Sequence, residues 1–116
     1  IVFPNIVCST KKIYSKNKTY SFVKRFNISQ LKHKKLLIDL LKREKNDLQD
    51  TVIKIYPQID LVLRYISNMK GCHVSRITGS GSACIGIFNS KKKVDIALKI
   101  IKKKFPRYWC VSSKTI

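Results

Sequence analysis

Thr78-Gly79-Ser80-Gly81-Ser82-Ala83 is the stretch of this sequence whose composition best suits ligand chemistry. Two Gly alternating with hydroxyl residues permit positive φ and bring backbone N–H groups close to an anion, as phosphate loops do. The stretch lacks the Gly-Lys-Ser/Thr ending of a Walker motif and the third Gly of the dinucleotide fingerprint, which excludes both families. It joins two β-branched runs, so a plain tight turn stands beside the ligand loop as an alternative. An acid–base catalyst needs a carboxylate or His held in a cleft with a shifted pKa. Asp39, Glu44, Asp50, Asp60 and Asp95 fall in helical patterns among lysines and read as solvated charge partners. Asp47 falls in a first helical turn, where the helix dipole accounts for it. His33 and His73 are far apart and have no evident nucleophile beside them. The chain alone is expected to hold no catalytic residue.

Cys8, Cys72, Cys84 and Cys110 form no Cys-x-x-Cys pair, and two His are too few to complete a zinc site. Reduced, partly buried thiols and no metal are expected, which fits a cytoplasmic location. The other loud feature is charge: 25 Lys and Arg against 6 Asp and Glu give +19. Such a charge attracts polyanions in general. Most of it is Lys, with Ile and Asn also frequent, a bias that an AT-rich genome imposes on any protein. Arg, the better residue for bidentate phosphate and base contacts, is scarce.

Behind these residues stand 116 positions, enough for one domain covering 1–116. No apolar run approaches the ~20 residues of a membrane crossing, and no membrane partner is expected. The sequence opens at Ile1 without Met or a secretory signal and reads as a piece of something longer.

Residues 1–7 are β-branched and aromatic and predict a mostly buried strand. Ser9 or Thr10 caps a short helix carrying Ile13 and Tyr14. Residues 15–28 show no stripe and predict a loop. Ser29 opens a helix with Leu37, Leu40 and Leu41 on one face. Asn46 caps the next, and Gln49 three residues on gives a box-like start. After Pro57, Ile59, Val62, Leu63, Ile66 and Met69 keep helical spacing up to a capping Gly71. Strands at 72–78 and 83–88 flank the glycine turn as a hairpin. Ser90 begins a helix with Val94, Ala97, Leu98, Ile101 and Phe105 inward, Pro106 stops it, and 108–113 supplies the last strand. This order predicts a ferredoxin-like α+β sandwich: an antiparallel sheet of about four strands with helices on one face.

Taken in order, four segments carry a resemblance: Val2-Phe3-Pro4-Asn5-Ile6-Val7-Cys8-Ser9-Thr10-Lys11-Lys12-Ile13-Tyr14, Asn46-Asp47-Leu48-Gln49, Ile77 through the glycine turn to Phe88, and Tyr108-Trp109-Cys110-Val111. Together they resemble the C-terminal part of the 4-diphosphocytidyl-2-C-methyl-D-erythritol kinase family, within the GHMP small-molecule kinases. The resemblance implies a parent enzyme that uses ATP and Mg2+ to phosphorylate the 2-hydroxyl of a cytidine-diphosphate-linked substrate in non-mevalonate isoprenoid synthesis. It implies that the phosphate loop and the catalytic Asp and Lys lie in an N-terminal domain absent from this chain, which binds neither cofactor alone. Thr10 would contact substrate, Tyr14 would stack on cytosine unless it merely packs on the sheet, and Gly79, Ser80, Gly81 and Ser82 would lie by the phosphate and substrate.

Two other functions compete with this one. A basic ferredoxin-like domain could bind RNA, but such sheets carry several stacking rings on their central strands, whereas 72–78 and 83–88 offer only Phe88. Nucleic acid is not the expected partner. A purely structural interaction domain is the remaining alternative.

Overall fold

The computed structural model describes residues 1–22, 27, 29 and 32–114. Its elements are β1 (Val2–Phe3), α1 (Thr10–Lys16), α2 (Lys34–Arg43), α3 (Gln49–Ile55), α4 (Pro57–Ser67), β2 (Cys72–Ile77), β3 (Cys84–Phe88), α5 (Lys91–Lys104) and β4 (Trp109–Cys110). The four strands form one sheet in the order β2-β3-β1-β4. Every neighbouring pair is antiparallel, with Val2 opposite both Cys84 and Cys110 and Ile77 opposite Cys84. This is the expected α+β, ferredoxin-like order.

Strand periodicity turns Val2, Ile77, Cys84 and Cys110 to one side, where they are buried. The helices α4 and α5 cover that side with Ile59, Val62, Leu63 and Ile66 and with Ala97 and Ile101. Burying each large aliphatic side chain contributes about 1.5–3 kcal/mol. The helix α4, which buries four, is therefore the main anchor, whereas α2 buries none. Two further features seat α4: the Ser75 hydroxyl donates to Leu63 O at 2.8 Å, and Gly86 lies opposite Ser75. A Cβ on Gly86 would stand 2.5 Å from Ile66 Cγ2. Arg76, next along β2 and turned the other way, donates to the Glu44 carbonyl at 2.9 Å and so holds the end of α2.

Several boundaries differ from expectation. The first strand shrinks to two residues because Pro4 has no N–H to offer and Asn5 turns to φ +57, its side-chain amide donating to Arg107 O at 2.7 Å. The last strand shortens to Trp109–Cys110, although Ile1 and Val111 still exchange two hydrogen bonds. Ser29 does not open α2: its N–H and hydroxyl both donate to Asn27 Oδ1, and α2 starts at Lys34 behind His33. The loop expected at 15–28 begins after α1 ends at Lys16; positions 23–26 and 28 lie outside the described residues. Gly71 adopts the expected positive φ of +86, but in the turn before β2, since Asn68 already ends α4.

The sheet order also corrects the argument about stacking rings. The central strands are β3 and β1, not the β2–β3 hairpin. Phe3 and Trp109, paired across β1 and β4, alternate with buried Val2 and Cys110 and lie on the face away from α4 and α5. All four cysteines are free thiols. Burial pushes the Cys84 thiol up to about 12.

Candidate functional site

At the start of α1, Ser9 takes the capping role: its hydroxyl accepts from Lys12 N at 3.3 Å. Thr10 is thereby the first helical residue and its hydroxyl is released from capping. That hydroxyl meets Ser80 of the glycine turn, with Thr10 Oγ1 2.9 Å from Ser80 Oγ. Tyr14, four residues on and so on the same face of α1, is 52% exposed. The fold thus brings Thr10 and the glycine turn into contact and places Tyr14 one helical turn away.

The turn itself needs its glycines. Gly79 and Gly81 have φ of +51 and +81. Gly81 N donates to Thr78 O at 3.0 Å and Thr78 N to Ala83 O at 2.9 Å, closing the hairpin. A Cβ on Gly81 would lie 3.2 Å from both Cys8 Sγ and Val52 Cγ1, so the turn is packed from below while Ser80 stays accessible above. Ser82 is buried, and its hydroxyl finds no partner among the described residues.

Asn46 holds this turn in place. Its side-chain amide donates to Ile77 O at 3.1 Å and to Gly79 O at 2.9 Å, while its Oδ1 accepts from Leu48 N at 3.0 Å. The expected capping box is not reciprocated, because Gln49 Oε1 instead accepts from Ile77 N at 3.0 Å, on the free edge of β2. Asp47 has a partner more specific than the helix dipole. It accepts from Ser21 N at 2.7 Å and from Ser21 Oγ at 2.5 Å. Consecutive residues therefore tie down the glycine turn and the segment that leaves α1.

The Ser21 hydroxyl, then its backbone N–H, hold the Asp47 carboxyl below its ordinary value. A carboxylate with a lowered folded-state pKa keeps its partner above the ordinary range and releases it as pH falls through the lowered value. In an NMR titration, the Ser21 amide proton is expected to shift with a midpoint below ~3.9, the ordinary aspartate value. A midpoint at or above that value would contradict the anchor.

The histidines do not join the site. His33 sits before α2, and His73, its Nε2 unpartnered among the described residues, lines a cavity of about 580 Å3 bordered by Ser21, Asn46, Asp47 and Gln49 but not by Thr10, Tyr14 or the glycine turn. Asp60 pairs with Arg64 and Asp95 with Lys91, each at 2.7 Å. No group of three metal-ligating side chains occurs among the described residues. Sequence reasoning missed the two Asn46 donations and the Gln49 bond, whose targets lie about thirty residues away. It also missed the Tyr56 hydroxyl, which accepts from Ser9 N at 3.4 Å and braces the start of α1.

The family described as GHMP kinases C terminal matches residues 28–107. A 4-diphosphocytidyl-2-C-methyl-D-erythritol kinase from Pelagibacter ubique is 37% identical over 113 residues, covering 97% of this chain and 39% of the relative. The enzyme of the same name from the Wolbachia of Drosophila simulans is 38% identical over 80 residues, 69% of this chain and 28% of its own length. That of Anaplasma phagocytophilum is 25% identical across 100% of this chain and 39% of the relative. The chain therefore spans well under half the length of these curated relatives. No solved structure matches it significantly.

Proposed function

Since this chain belongs to the GHMP kinase C-terminal family, we propose that it forms one wall of the substrate cleft of a 4-diphosphocytidyl-2-C-methyl-D-erythritol kinase. The whole enzyme would transfer the γ-phosphoryl group of ATP to the 2-hydroxyl of the cytidylated methylerythritol, in the cytoplasm, on the route to isoprenoid precursors. The observation that carries this reading is the contact between Thr10 and Ser80 at 2.9 Å, which unites the two segments assigned to substrate.

Each residue then has a limited task. Tyr14 offers a half-exposed ring to the cytosine, and Thr10 fixes orientation through its hydroxyl. The turn of Gly79, Ser80, Gly81 and Ser82 would lie beside the phosphate, where phosphoryl transfer develops charge, with the backbone N–H groups of Gly79 and Ser80 as its donors, because Gly81 N is engaged by Thr78 O and Ser82 is buried. Their value lies in having been positioned beforehand, by Asn46 and the packing under Gly81, and no proton transfer is assigned to them. Magnesium needs hard oxygen ligands, usually carboxylates. Thr10, Tyr14 and the turn bring hydroxyl and carbonyl oxygens but no carboxylate, so this wall does not fit the ion, and no step here runs through it. ATP, its metal and the catalytic Lys and Asp are assigned to an N-terminal domain outside this sequence.

Two measurements test the reading. The coding sequence upstream of Ile1 is expected to specify a Gly/Ser-rich phosphate loop and an earlier Lys and Asp; an unrelated domain there would sink the proposal. CDP added to the chain is expected to move the amide resonances of Thr10, Tyr14 and Ser80. Tyr14→Ala should weaken that binding roughly 5- to 150-fold, the ~1–3 kcal/mol of one stacked base. Silence toward CDP together with RNA binding that falls steeply with salt would instead favour a nucleic-acid module on the Phe3 and Trp109 face.

A further inference from the structure

On the outer surface of the helical layer, α4 and α5 leave a groove of about 650 Å3 between them. That volume lies within the ~300–1,000 Å3 of small-molecule sites. Its long part is apolar, lined by Tyr65, Met69, Ile96, Ala97 and Ile100. Ile96 and Ile100 are 50% and 44% exposed, an unusual state for two Ile at successive turns of one helix. Its polar part gathers at one end, where α4 finishes and α5 starts, and holds Lys70, Lys92 and Lys93 with Asn68 and Ser90.

Among the described residues, no carboxylate lines this groove. Of the chain's acids, Glu44, Asp47 and Asp50 line the other cavity, Asp60 and Asp95 are paired with Arg64 and Lys91, and Asp39 belongs to α2. Lys93 Nζ is bonded only to a neutral oxygen, Asn89 Oδ1, at 3.3 Å. Three cations therefore meet at the head of an apolar trough with no carboxylate side chain of the described residues among its lining.

We propose that this groove binds a single-chain aliphatic phosphate, its phosphate among Lys70, Lys92 and Lys93 and its chain along Tyr65, Ile96 and Ile100. Three lysines at one end and apolar surface along the groove match a ligand with one head and one tail, the tail ending at Tyr65, where Lys104 Nζ stands 5.7 Å from the ring centroid. From Lys92 to Ile100 the groove runs eight residues of helix, ~12 Å at ~1.5 Å each, so it takes a medium-length chain.

The test is calorimetry on this chain with octyl, decyl and dodecyl phosphate below their micellar concentrations, and with decyl maltoside as a neutral-headed control. Affinity is expected to rise about fourfold per added methylene until the trough is filled, and then to level. Lys70→Ala with Lys92→Ala should weaken decyl phosphate about five- to tenfold without changing the maltoside. Ile100→Ser, at an exposed position that does not threaten folding, should weaken both. No binding, binding only above the micellar concentration, or equal affinity of all variants would overturn the proposal. So would a dimer in sedimentation that Ile96→Asp dissociates, because the groove would then be an interface between copies of the chain.

Discussion

Asn46→Ala is expected to lower the unfolding free energy of this chain by about 2–4 kcal/mol. Losing the acceptor at the start of α3 costs ~1 kcal/mol, as for other capping residues. Losing the donations to the Ile77 carbonyl, which is part-buried, and to the Gly79 carbonyl, which is exposed, adds ~0.5–1.5 kcal/mol each. For a domain near a hundred residues, this lowers the melting temperature by roughly 10–25 °C. Two companion variants separate the roles. Asn46→Ser keeps a capping oxygen and should recover only the ~1 kcal/mol of the cap. Asn46→Asp also keeps it, but sets a carboxylate against the oxygens of Ile77 and Gly79 and should recover little. Denaturant melts of the three variants decide the matter, with amide exchange at Gly79, Ser80 and Gly81 as the local readout. A change below about 0.5 kcal/mol in the alanine variant, which is ordinary for surface positions, would show that the turn does not depend on Asn46.

Gly86→Ala should be comparably damaging, by about 1–3 kcal/mol, although it adds a single methyl group. The new Cβ would stand 2.5 Å from Ile66 Cγ2 and 3.0 Å from Phe88 Cε2. Ile66 is 2% exposed and cannot retreat. Nearby, the Ser75 hydroxyl pins α4 at Leu63, so the helix cannot lift without losing that bond. Leu carries no methyl at the Cγ2 position, so adding Ile66→Leu should restore part of the loss. A double-mutant cycle reads this directly, since contacting sites couple by ~0.5–3 kcal/mol. Strictly additive losses would mean that α4 and β3 are not packed as described.

These two positions also show what could be read before the structure. The helix α4 announced itself through the spacing of Ile59, Val62, Leu63 and Ile66, and all four are buried. The hairpin was equally legible, because β-branched runs flank a turn that only glycines could make. Partnerships across long sequence distances were not. Thr10 and Ser80 are 70 residues apart, and nothing local to either names the other. Ser9 and Thr10 were interchangeable as caps until one hydroxyl bonded Lys12 N and the other Ser80. Asn46 looked complete as a cap because its acceptor works locally while both its donors work at a distance. Phe3 and Trp109 were overlooked as a pair because sheet order, which no single strand encodes, decides which rings become neighbours.

The strand that comes first in the chain lies inside the sheet, and it is two residues long. Its ladder partners on both sides, Cys84, Cys110 and Trp109, are made late in synthesis. In a nascent chain β1 meets its first neighbour only once β3 has been made and its second only once β4 has followed. Closing such distant pairs is slow, with milliseconds to seconds typical of sheets built this way. Premature termination between β3 and β4 would release a chain whose β1 is paired on one side only, open to capture by another copy or by a chaperone.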